Sequence, residues 1–213
     1  MICPNMTEDR SSRLIILATV YGSALGSLPV IVHMINATRP SHWQEAQHMG
    51  FWPTLLFGGI GFLGAFLLVR PLLQRFLKRS GDRYGLFLWT CMAIIFALFV
   101  GPITGLLMPF GLLAVFTLLG DLPISNFPSG LLGAVFRIPH HLIVYSTAAF
   151  YSGLVSGFFF GLGGFLIYQT NSVKNENTSK YGAFTLTFIL VAALIFLLSY
   201  LDAETISRIQ RLR

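Results

Sequence analysis

Arg137-Ile138-Pro139-His140-His141 is the densest group of chemically capable side chains in this 213-residue sequence. A guanidinium with two imidazoles at the entry of an apolar segment suits a phosphate headgroup or another anionic ligand, because the guanidinium is a planar, permanently charged donor. Acid–base or hydrolytic work would need a carboxylate alongside, and none stands at ligand spacing. Metal binding fits poorly, since adjacent histidines on a helix point ~100° apart. The sequence therefore predicts an anionic-lipid or ligand site at Arg137, His140 and His141, with no catalysis, no metal and no cofactor. An enzyme acting on a lipid headgroup ranks last for want of an acidic partner.

The other three histidines are His33, His42 and His48. Together they would make at most a weak metal or proton site. A haem would need two axial histidines facing each other across helices, and the topology below puts His33 and His140 at opposite membrane faces. No Asp, Glu, Lys or Arg falls within any of the six apolar segments defined below. Ion-coupled transport, proton pumping and voltage sensing all hold charge at membrane depth, so each is weakened. No Ser–His pair at depth, aspartyl dyad or HExxH motif points to a hydrolase.

The elements that must position these groups are membrane helices. The chain is 54% hydrophobic and 10% charged, with a mean hydropathy of +0.72. Soluble domains carry roughly 25% charged residues, so this chain cannot coat a soluble surface. The net charge of +6 comes from basic residues placed between apolar segments, as the positive-inside rule requires. No basic-aromatic surface remains for a nucleic acid, so none is expected as partner. Cys3 and Cys91, one in the N-terminal tail and one in an apolar segment, make neither a disulfide nor a metal framework.

A span needs about 20 apolar residues. The segments are 14–34, 52–69, 84–100, 106–120, 141–168 and 183–201. The first is long enough to span and lacks a small-residue cleavage site, so no cleavable signal is expected. Residues 70–83, with Arg70, Arg75, Lys78, Arg79 and Arg83 against Asp82, read as a cytoplasmic or matrix loop. Positions 84–120 are uncharged and too long for one crossing, so a break is expected at Gly101-Pro102-Ile103-Thr104-Gly105. Residues 121–140, with Pro123, Pro128 and Pro139, read as a loop. The fold class is all-α: a single polytopic transmembrane helical bundle over 1–213 with six spans, or five plus a re-entrant 106–120. Six spans place 11 of the 14 Lys and Arg on one side and only Arg39, Lys174 and Lys180 on the other; the alternative gives 9 against 5. Six spans, with both termini on the cytoplasmic or matrix side, is the preferred topology. Asn36 and Asn177 begin Asn-x-Ser/Thr triplets in outside loops of that topology, a hint of a secretory-route protein, and Asn5 begins a third.

Ala149, Gly153, Gly157 and Gly161 recur every four residues. In lipid such a row is a groove that another helix approaches backbone to backbone. Gly22 and Gly26 repeat the pattern in the first segment, which is the expected partner. The sequence thus predicts a non-catalytic multi-pass membrane protein, a structural or assembly subunit. It would sit in a bilayer against anionic headgroups and dock with other membrane subunits through glycine-rich faces. The alternative is a small transporter or permease subunit for an apolar or neutral solute, lined by Ser152, Ser156, Tyr145 and phenylalanines.

Overall fold

The computed structural model describes residues 8–28, 30, 51–79, 85–118, 120 and 122–211, with the side chains of 51–55, 57, 78–79, 148–151 and those beyond 196 left aside. Every element among them is helical. The helices are α1 (Glu8–Leu25), α2 (Phe51–Arg79), α3 (Leu86–Leu118), a short 3-10 turn (Ile124–Asn126), α4 (Phe127–Asn171) and α5 (Glu176–Arg211). Four stretches are long and apolar enough to cross a membrane: Gly58–Leu77, Leu86–Leu118, Ser152–Asn171 and Glu176–Phe196. That is the mark of an integral membrane protein. His33, His42, His48, Asn5, Asn36, Arg39 and Cys3 lie outside the described residues, as does the side chain of Ala149.

The largest departure from the sequence expectation is α3. It is one unbroken helix of 33 residues, about 50 Å long, running through Pro102 and Pro109. The expected break at 101–105 is absent. A proline in a helix interior forfeits one hydrogen bond and costs ~3 kcal/mol. Opening the chain in lipid would strand several backbone groups at several kcal/mol each. The smaller penalty is accepted. Termination waits for Gly120, whose φ of +84° only glycine adopts without strain. The Leu122 N–H then reaches back to the Phe116 carbonyl.

α4 departs in the same direction. Its 45 residues begin at Phe127, with Pro128 in the first turn and Pro139 inside, so most of the expected 121–140 loop is helix. Likewise α2 continues through Pro71 to Arg79, so most of the expected basic loop is its last turns. α5 starts cleanly because the Asn175 Oδ1 accepts from the Asn177 and Thr178 N–H groups, 3.1 and 3.3 Å away, with Glu176 in the first turn.

α3 and α4 form a long antiparallel hairpin; α1 and α2 pack on its flank, and α5 lies at the edge against α1 and α4. One apolar cluster joins α1, α2, α3, α4 and α5 around Trp89, Phe96 and Phe160. Phe96 stacks on Phe160 at 4.7 Å, and Trp89 meets the same ring edge-on at 6.2 Å. A second cluster, around Ile60, Met108, Val115 and Tyr145, joins α2, α3 and α4 farther along the hairpin.

Polar bonds fix which chain ends meet. The Asn171 side-chain amide donates to the Arg10 carbonyl at 2.8 Å, and the Arg10 guanidinium donates to the Lys174 carbonyl at 3.4 Å. The six-span topology put Arg10 and Lys174 on opposite sides. They sit at the same end of the bundle, as the five-span alternative requires. Asn177, expected outside, is at this end too.

Candidate functional site

The glycine row of α4 is filled, and by a different helix than expected. A Cβ at Gly157 would lie 2.7 Å from the Ala93 carbonyl oxygen and 2.7 Å from the Ala97 methyl. A Cβ at Gly153 would lie 2.7 Å from the Ala97 oxygen, and one at Gly161 would lie 2.8 Å from the Ala93 methyl. The partner is α3, not α1. Its matching row is Ala93, Ala97, Gly101 and Gly105, also every four residues. Gly101 and Gly105, expected to punctuate the chain, are both buried within the helix, and Gly105 sits against the backbone of His141 and Leu142. The Ala93/Ala97 spacing was readable within segment 84–100, and its continuation to Gly101 and Gly105 only once 84–120 is one helix.

Gly22 of α1 and Gly26, the residue just past its end, are filled as well. Gly26 meets Ala65 and the Gly61 carbonyl of α2, and Gly22 meets Phe160 of α4 and Val69 of α2. Two α4 glycines outside the predicted row act as sockets: Gly163 receives the Tyr21 ring and Gly164 the Trp89 ring. Tyr21 also donates to the Phe159 carbonyl at 3.1 Å, and Ser27 donates to the Gly58 carbonyl at 3.0 Å, tying α1 to α4 and α2. Ser156 bonds locally to the Ser152 and Gly153 carbonyls at 2.8 and 3.2 Å, which is the commoner use of a helical serine.

Arg137 and His141 line a common cleft, and His140 is not among its lining residues. All three stand within α4, not at a helix entry. Arg137 and His141 are four residues apart and share a face, while His140 points away and is exposed. The two imidazole rings are 5.4 Å apart at 76°. Arg137 and His141 both line a cleft of about 300 Å³ between the distal halves of α3 and α4. Pro109, Leu112, Leu113 and Phe116 form the α3 wall, Gly130, Gly133 and Ala134 the α4 wall, and Leu122 borders the turn. The spacing 130, 134, 137, 141 marks one helix face, and it stays hidden while 121–140 is taken as a loop. His141 stacks obliquely near Tyr145, 6.2 Å between centroids. Among the described residues no three His, Cys, Asp or Glu side chains gather at metal-binding distance.

No family model, curated protein or solved structure matches this chain.

Proposed function

We propose that the chain is a non-catalytic multi-pass membrane protein serving as a structural or assembly subunit, and that it docks through the distal α3–α4 hairpin instead of its glycine faces. Gly22, Gly26, Gly153, Gly157 and Gly161, the glycines expected to dock, are already covered by helices of the same chain, so docking must use another surface. One observation carries the proposal. Exposed apolar side chains run along α4 from Leu131 and Leu132 to Leu162 and Leu166. Leu131 and Leu166 are about 52 Å apart along the helix at 1.5 Å per residue. A hydrocarbon core is about 30 Å thick, and even a 40° tilt extends its reach along a helix only to ~39 Å. One bilayer therefore leaves apolar surface uncovered at one end. The Arg10–Lys174 end carries Arg10, Arg13, Lys174 and Lys180, against Arg137 alone in the distal half of α4, so the uncovered end is the distal one. There Leu132 is 64% and Phe136 76% exposed. An apolar helical face of another membrane subunit fits that surface.

The same geometry supports five crossings. Arg10, Arg13, Arg70, Arg75, Lys78, Arg79, Arg83, Lys174 and Lys180 then share the cytoplasmic or matrix side, the 9-to-5 split, and the termini lie on opposite sides.

The test is extraction from the native membrane in mild detergent, comparing wild type with the double substitution L132E/F136E. Wild type should migrate as part of an assembly of fixed stoichiometry, and the variant should migrate alone with unchanged thermal stability. Wild type migrating as a lone monomer would refute docking. Quenching of a probe at position 132 by brominated lipid would show that the distal hairpin folds back onto the bilayer.

A further inference from the structure

The geometry points to the α3–α4 cleft as a binding site for one alkyl chain carrying an anionic head, with the charge on Arg137. This goes beyond the docking proposal and does not depend on it. The cleft volume of about 300 Å³ lies at the small end of ligand pockets, ~300–1,000 Å³, and suits one chain. Its walls offer carbon: Leu112, Leu113 and Phe116 are aliphatic or aromatic, and Pro109 has no N–H to donate. The α4 wall is open at Gly133, whereas the Leu113 side chain packs over Gly130. A Cβ at Gly133 would meet nothing within 4 Å, so nothing in the protein fills that space. Arg137 is exposed and lines the cleft, with His141 one turn further along the same wall. An apolar trough with one permanent cation at its margin matches an amphiphile, not a free inorganic anion and not a neutral oil.

The chemistry is shared by a free alkyl carboxylate or phosphate and by one chain of an anionic bilayer phospholipid. Native mass spectrometry of the full chain, released from an uncharged detergent, separates them. Decyl phosphate should give a one-to-one adduct, whereas decanol and methyl phosphate at equal concentration should not. R137Q should weaken the adduct by tenfold or more, the range for losing a charge-assisted hydrogen bond, while R75Q at the other end of the bundle should leave it unchanged. Gly133→Leu should abolish it by filling the trough. Should that variant misfold, exposed Arg137 still carries the test. Shortening the chain from decyl to octyl should cost about fourfold per methylene buried. Phosphatidylglycerol that displaces decyl phosphate identifies the bilayer as the source; failure to displace it identifies a free amphiphile. Equal adducts with decanol, equal losses in R75Q and R137Q, or no loss in R137Q would overturn the assignment.

Discussion

Replacing Gly157 with alanine probes the α3–α4 seam with a single carbon. The new methyl would stand 2.7 Å from the Ala93 oxygen, 2.7 Å from the Ala97 methyl and 3.2 Å from the Ala97 Cα. The oxygen and the Cα belong to backbone and cannot rotate away, so the helices must part by several tenths of an ångström. Overpacking of this kind costs roughly 1–3 kcal/mol. Alanine returns roughly 0.5–1 kcal/mol through its better helix propensity. The expected net loss is about 1–2 kcal/mol, or a fall of roughly 2–8 °C in Tm for a chain of this size. Gly59→Ala is the matched control: nothing lies within 4 Å of its Cβ position, so propensity alone acts and stability should hold or rise. Gly111→Ala should fall between the two, because the three atoms nearest its Cβ position belong to the Ile60 side chain and none to backbone. The assay is reversible unfolding in mixed detergent–SDS micelles. If Gly157→Ala proves as harmless as Gly59→Ala, α3 does not touch α4 along this row and the packing described above is wrong.

Asn171→Leu should destabilise the chain by about 1–2 kcal/mol, since it removes the amide that ties α4 to the Arg10 carbonyl; the same unfolding assay reads it. Single cysteines at Ser12 and Lys174 should react with an impermeant reagent from the same side of the membrane, and one at Ser207 from the other. Reaction of positions 12 and 174 from opposite sides would restore six crossings. L132E/F136E should release the chain from its assembly, and R137Q should cost at least tenfold in binding of decyl phosphate, as set out above.

Composition alone was enough to establish the solvent and the class of fold. With 10% charged residues, a chain of this length must place helices in lipid, because only there are so few charges sufficient and only helices satisfy their own backbone. The glycine period along α4 likewise declared a close-packed face. Its partner was not declared. Which helix fills a groove depends on where the chain reverses, and that turned on whether Gly101, Pro102 and Gly105 interrupt α3 or pack it. Local propensity says interrupt. The tertiary contact of Gly105 with the His141 and Leu142 backbone says pack, and the lipid penalty for an open backbone outweighs the local one. The same local rule turned the first part of α4 into a loop, which hid the face shared by Gly130, Ala134, Arg137 and His141. Residue types and periods are local quantities and can be read along the chain. Helix continuity through proline, the choice of partner and the pairing of Arg137 with an apolar cleft depend on energies between segments far apart in sequence, and only the folded bundle decides them.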